Sequence, residues 1–289
     1  MTLKHVVTHN GRAHRDDFFA VALAIYHHGV HTVVRRDPTE EELNDPNVLV
    51  LDVGRRYEPG LNNFDHHQLP PSQLDCAFSL LAKNRKVSMG DGEEGGTYHE
   101  LWEEAPWYRA VVLQDCLGPG GMARHLGFGS YLPEEFTSGI EVFCLQEFSN
   151  DEEVPLNLRY FGMRLITAKV RTAIEFNKQQ KILAEKHELR DFGDIGKILW
   201  IPELSPFGVN KFIARNNLPV CVTVTKDPRN RGLCLYRYGP GAIVFDFSKI
   251  ADEGDVAFAH VGGYVAYVKE GTSYERIVQL LQKSVTYRE

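Results

Sequence analysis

The chain has 289 residues, 43% of them hydrophobic and 25% charged, proportions of an ordinary soluble globular protein that exclude a disordered or fibrous one. Its net charge of −7 argues against a broad basic face that would hold duplex nucleic acid through many phosphate contacts. A nucleotide substrate is still allowed, because carboxylates gathered around divalent cations make a sequence look more acidic than the loaded site.

The first part alternates short β-rich runs with helical stretches, the pattern of an α/β fold with a parallel sheet. Residues 5–8 read as a strand and 16–28 as a helix, with Ala20, Leu23, Ala24 and His27 on one face. Residues 32–35 and 48–52 read as two further strands. After a turn-rich passage, the Asp65-His66-His67 run falls in a loop and a helix is expected over 73–84. Residues 88–96, rich in glycine and acid, should be exposed, and 97–116 should be helical with a break at Pro106 and a stop at Gly118-Pro119-Gly120-Gly121. Residues 158–189 show a sustained helical pattern, with Leu165, Ile166, Lys169, Val170, Ala173 and Ile174 at three- and four-residue spacing. Strands at 197–201, 220–225, 233–238 and 256–259 and a helix at 273–283 then suggest a smaller α/β domain. The expected division is a domain over 1–155, a connecting helix over 156–190 and a second domain over 191–289.

The five cysteines are odd in number, widely spread and form no Cys-x-x-Cys pair, so reduced thiols are expected. The amino terminus enters a strand without the apolar stretch of a signal peptide, and no run approaches the roughly 18 apolar residues of a membrane span. A cytoplasmic location away from membranes is the expectation.

Three segments carry chemistry. The loop Thr8-His9-Asn10-Gly11-Arg12-Ala13-His14-Arg15-Asp16-Asp17 leaves the first strand where open α/β sheets bind ligands. Imidazole mixed with carboxylate suits manganese, zinc or iron better than calcium. The two acids also fit simple helix capping, and that alternative stays open. The apolar run Val48-Leu49-Val50-Leu51 ends abruptly in Asp52, and Asn63-Phe64 is followed by Asp65-His66-His67. All three fall in order within one α/β unit, each at a strand end or loop. Two metals about 3.5–4 Å apart with a shared carboxylate are a common apparatus for in-line attack on phosphorus.

The run His9-Asn10-Gly11-x-x-His14-x-Asp16-Asp17, the strand-end Asp52-Val53-Gly54 and Phe64-Asp65-His66-His67-Gln68 together resemble the Myg family of DHH-superfamily phosphoesterases. The resemblance implies a parallel-sheet DHH-type domain joined by a long helix to a smaller α/β domain. It also implies two Mn2+ ions, with Mg2+ or Zn2+ as substitutes, sharing Asp52. His9 and His14 would join one metal, and Asp16 and Asp115 the other. His66 would be a further ligand, Asp65 would orient it, and His67 would touch phosphate, so that Asp17, Asp65 and His67 form the catalytic set. The family usually has an aromatic where this chain has Ala13 and a glutamate where it has Asp17, which puts the pocket wall in question.

In the carboxyl part, Ala259-His260-Val261-Gly262-Gly263 resembles the family's His-x-x-Gly segment. His260, Gly262 and Gly263 are therefore candidate phosphate contacts, with a hairpin turn as the alternative. Arg229 and Arg231 are candidates for a second phosphate. The implied activity is 3′–5′ exonuclease action on single-stranded RNA or a short oligonucleotide, and a homodimer is allowed. Hydrolysis of a small phosphate compound and non-catalytic nucleotide sensing are the rival readings.

Overall fold

Short apolar runs ending in polar residues dictate the first sheet. The structure, a computed structural model, describes residues 3–70, 72–90, 93–127, 144, 146–148, 156–229, 232–238 and 243–287. It divides into two compact units, Met1–Ala173 and Ile174–Glu289.

In the first unit, β1 (His5–Thr8), β2 (Val33–Arg35), β3 (Val48–Leu51), β4 (Tyr57–Glu58) and β5 (Asn63–Phe64) form one sheet in the order β2-β1-β3-β5-β4. All the pairings are parallel except β4 with β5. Val48 to Leu51 are buried throughout, as expected of a central strand covered on both faces.

Helix α1 (Arg15–His28) follows β1. The Asp17 carboxylate accepts from the His14 backbone N–H at 3.0 Å at its start, and Gly29, at φ 65°, ends it by donating to the Ile25 carbonyl at 2.9 Å. Every residue from Arg15 to Ile25 is buried, so the helix lies inside the unit and lacks the single apolar face expected of it. After the short helix α2 (Glu40–Asn44), α3 (Ala77–Asn84) begins four residues later than expected and packs on α1.

The glycine- and acid-rich stretch forms a hairpin, β6 (Lys86–Gly90) with β7 (Glu93–Thr97). Helices α4 (Tyr98–Trp102) and α5 (Pro106–His125) follow, with Pro106 at the first turn of α5 where a missing N–H costs nothing. The expected stop falls at Gly118 (φ 67°, ψ 169°), a kink beyond which a second helical segment runs to His125. Phe19, Phe78, Tyr98, Trp102, Trp107 and Tyr108 form an aromatic core, with Trp102 ring centroids 5.3 Å from both Tyr98 and Trp107.

Helix α6 (Leu156–Lys186) contributes residues to both units, and the division falls inside it. In the second unit, β8 (Glu188–Asp191), β9 (Lys197–Ile201), β10 (Val220–Lys226), β11 (Gly232–Arg237), β13 (Val256–Ala259) and β14 (Val265–Lys269) form a sheet in the order β13-β14-β11-β10-β9-β8. Only β9 and β10 run parallel. A separate pair joins β12 (Ile243–Phe245) to β15 (Val285–Tyr287). Helix α7 (Val209–Arg215) connects β9 to β10, and α8 (Tyr274–Ser284) packs Ile277, Leu280 and Leu281 into the core of Val222, Val224 and Leu235. No disulfide joins the described cysteines, and among the described residues no helix is long and apolar enough to cross a membrane.

Candidate metal centre

Register brings the three sequence segments to one edge. Thr8 pairs with Arg35 and Leu51, and Leu51 pairs with Phe64. Each parallel strand therefore delivers its next residue beyond the same carboxyl edge: His9, Asp52 and Asp65, with Arg35 ending its own strand there. Asp16 enters from the first turn of α1 and Asp115 from α5. Asp52 has φ 59°, a left-handed backbone that non-glycine residues rarely adopt and that turns its carboxylate away from the strand's own path.

The side chains converge. His66 Nε2 lies 3.1 Å from Asp52 Oδ1 and 3.0 Å from Asp115 Oδ2. His9 Nε2 lies 2.8 Å from Asp17 Oδ2 and 3.5 Å from Asp52 Oδ2, and His14 Nδ1 is 3.9 Å from Asp115 Oδ1. Three groups offer ligand atoms within 4.8 Å of one another: His9, His14 and Asp52; Asp52, His66 and His67; and His14, Asp16 and Asp115. Asp52 and His14 each belong to two of them.

Burial makes this arrangement electrostatically demanding. Asp16 is fully buried, and burial first, then Asp52, Asp115 and Asp17, raise its pKa well above the usual carboxylate range. Burial and Asp52 likewise raise Asp115, with His66 working against them. Burial opposes the charged form of His9 and His66, yet the surrounding carboxylates outweigh it and both pKa values are raised.

His9 Nε2, both oxygens of Asp16, Asp52 Oδ1 and Asp115 Oδ2 are buried with no hydrogen-bond partner. Buried polar atoms are nearly always satisfied, and five orphans converging on one spot are the donor set a divalent cation would satisfy. Mixed imidazole and carboxylate donors fit manganese, zinc or iron.

Residues 5–75 match the model of the MYG1_exonuc family, described as an uncharacterised protein family (UPF0160). The match covers about a quarter of the chain and includes every proposed ligand except Asp115. No curated protein matches. Two solved structures align along most of the chain. One is described as a pGpG-specific phosphodiesterase, PggH, from Vibrio cholerae, at 9% identity and a TM-score of 0.30, over 98% of this chain and 100% of that one. The other is RecJ in complex with Mg2+ from Thermus thermophilus, at 12% identity and a TM-score of 0.31, over 97% of this chain and 49% of RecJ. TM-scores this low do not establish a shared fold.

The structure brings His9, His14, Asp16, Asp17, Asp52, Asp65, His66, His67 and Asp115 into one neighbourhood. One expected contact is different. Asp65 does not orient His66; its Oδ1 accepts from the backbone N–H of His67 at 2.9 Å and lies 2.7 Å from His67 Nδ1, while Oδ2 accepts from the Arg55 backbone at 2.7 Å. The reason is local: an aspartate that bonds the backbone two residues on turns its carboxylate toward that residue. Burial opposes the charge on Asp65, but these donors prevail and hold its pKa below the usual value.

Asp17 faces His9 and Arg35 and caps α1 through the His14 backbone, so it supports a candidate ligand from behind. Sequence reasoning missed Arg35, which is 2% exposed and donates to Asp17 Oδ2 at 3.1 Å and to the Gly11 carbonyl at 3.1 Å. Its only signal is its place at the end of an apolar strand, facing the loop that carries His9 and His14.

The remaining candidates belong to the second unit. His260 Nδ1 accepts from the Gly262 backbone at 2.9 Å, and Gly263, at φ 65°, donates to the His260 carbonyl at 2.8 Å, closing the turn between β13 and β14. Arg229 is exposed in a turn where its backbone N–H meets Asp227 at 3.1 Å, and Arg231 lies outside the described residues.

Proposed function

We propose that this protein is a two-metal phosphoesterase that hydrolyses phosphodiester bonds, most specifically a 3′–5′ exonuclease of single-stranded RNA or short oligonucleotides in the cytoplasm. One observation carries the phosphoesterase reading: the buried Asp52 carboxylate is common to two histidine-containing ligand groups and has an oxygen with no other partner. A carboxylate shared between two cation sites is a common apparatus for in-line phosphoryl hydrolysis. The exonuclease and RNA components rest on the resemblance of the first seventy residues to the Myg family.

His9, His14 and Asp52 would hold one Mn2+, and Asp16, Asp115 and His66 the other, with Asp52 bridging. Bound divalent cations supply Lewis-acid charge to a phosphoryl oxygen and acidify a water. The protein's own groups do the rest. Asp17 accepts from Arg35 and faces His9, fixing that ring from behind. Asp65 engages Nδ1 of His67, so the half-exposed ring offers Nε2 to a substrate phosphate or to the departing oxygen. Asp16, buried among other acids, has no role in a metal-free fold that would repay its burial, and it is best explained as a ligand.

The test is incubation with Mn2+ and a 5′-labelled RNA oligonucleotide, alongside pyrophosphate and the variants Asp52→Asn and His66→Ala. A ladder shortening from the 3′ end, absent in both variants, is expected. Intact RNA with phosphate released from a small compound would replace this reading with a small-molecule phosphohydrolase. Metal-dependent nucleotide binding without turnover would identify a sensor.

A further inference from the structure

A cleft of about 310 Å³ opens beside the carboxylates, lined among others by Arg12, His14, Arg15, Asp16, Gln114 and Asp115. His14, Asp16 and Asp115 belong to the candidate metal centre; the arginines and the glutamine have no part in it. Arg15 is only 9% exposed, and its Nη1 donates to Gln114 Oε1 at 3.0 Å. A guanidinium carries five donors in a rigid fork, so fixing one of them sets the plane of the group. Arg12 stands exposed at the same cleft.

Two consecutive residue pairs thus meet between the same two helices. Arg15 meets Gln114, and one residue further along each helix Asp16 meets Asp115. Both pairs line the same cleft, so the arginines and the candidate cation ligands open onto one space. The buried Asp16 oxygens, unpartnered, mark the cation end, and the arginines mark an anion end. The volume is at the lower limit of small-ligand sites, room for a phosphate and its sugar and too little for a duplex.

We infer that Arg12 and Arg15, with Arg15 positioned by Gln114, form a subsite for a second phosphate adjoining the scissile one. This rests on the phosphoesterase reading for the word scissile; the anion subsite itself does not. The shared ligand chemistry is a phosphomonoester beside a phosphodiester, which sits either on the 5′ or on the 3′ side.

The probes are the dinucleotides pApA, ApAp and ApA. Kinetics with Mn2+ and equilibrium binding with Ca2+ in its place are measured on the wild type, Arg12→Ala and Arg15→Met. One phosphorylated dinucleotide should show a KM and a Kd about tenfold below those of ApA with kcat little changed, the worth of one charge-assisted contact. Which one it is identifies the side. Both variants should bring the ratio close to one while leaving ApA within about twofold of wild type. Should Arg15→Met fail to fold, the exposed Arg12→Ala still decides. Equal values for all three dinucleotides, or a preference that survives Arg12→Ala, would overturn the subsite. Turnover without discrimination removes the subsite and keeps the phosphoesterase; preferential binding lost in Arg12→Ala with no turnover does the reverse.

Discussion

Replacing Arg35 by methionine removes the cation that sits against the acidic cluster from behind. Arg35 and Asp17 are 2% and 0% exposed and meet at 3.1 Å, the guanidinium also donates to the Gly11 carbonyl, and it stacks 4.4 Å from the Phe148 ring centroid. Methionine fills most of the volume, so the loss is electrostatic: Asp17, buried near Asp16, keeps His9 and the His14 backbone N–H but loses its guanidinium partner. Breaking one side of such a pair costs about 3–5 kcal/mol, a large share of the roughly 5–15 kcal/mol that holds a domain together. For a unit of this size that is a fall in Tm of roughly 6–20 °C. Thermal and urea unfolding in EDTA measure it, and adding Asp17→Asn to Arg35→Met should recover about half of the loss, because it removes the carboxylate that has lost its guanidinium. Mn2+ should stabilise Arg35→Met more than wild type, since a cation would then supply charge that Arg35 no longer supplies. A loss under about 1 kcal/mol in EDTA, or no recovery in the double variant, would refute the electrostatic account of this corner.

Asp16→Asn should leave the metal-free protein as stable as wild type or about 1–2 kcal/mol more so, because it relieves a buried carboxylate, while the rise in Tm on adding Mn2+ disappears; a weaker apo protein with the metal response intact would contradict the ligand assignment. Burial, followed by His27 and Arg85, lowers His28 to about 4, and Arg85 Nε donates to its ring at 2.9 Å, which requires the neutral form. The unfolded chain binds this proton below about 6.5 and the fold does not, so stability present above pH 6.5 declines toward pH 4, by about 1–2 kcal/mol after allowance for partial exposure. His28→Gln keeps an acceptor and should flatten that decline relative to wild type in urea melts; identical slopes would exclude His28 as the source. Trp102→Ala should cost about 3–5 kcal/mol in the same melts, since it empties the middle of the aromatic core, and a cost under about 1 kcal/mol would mean that the core collapses around the gap.

What could be seen in the sequence was what backbone periodicity carries. His9, Asp52 and Asp65 each follow an apolar run, so a parallel sheet already places them at one edge without any knowledge of side-chain contacts. Asp115 is different: it sits on a helix about fifty residues further on, and only family resemblance singled it out. The turning of Asp65 toward His67 depends on one hydrogen-bonded turn, a feature too local for hydrophobic patterning to register. Arg35 reads as an ordinary surface arginine until the neighbouring loop covers it. The hairpin of β6 and β7 was missed because glycine and glutamate have low strand propensity, and the pairing must overcome it. The break at Gly118 was legible because glycine takes the positive φ that ends a helix, whereas the second helical segment beyond it follows a Pro-Gly-Gly run that local pattern reads as a turn.

The places where sequence rules fail are also the places that weaken the metal-free fold. Asp52 in the left-handed region costs about 1 kcal/mol or more, and the orphaned atoms of Asp16, Asp52, Asp115 and His9 each forgo a hydrogen bond they could have in water. These costs fall within one small volume, beside a helix buried on all sides and an aromatic core of six rings that gains nothing from the site itself. A core that strong can hold mutually repelling acids in place ahead of their ligand, so binding need not order them. On the two-metal reading, cation affinity would be the relief of a strain the core imposes, and substitutions that loosen the core, Trp102→Ala among them, should weaken the Mn2+-induced rise in Tm although they touch no proposed ligand.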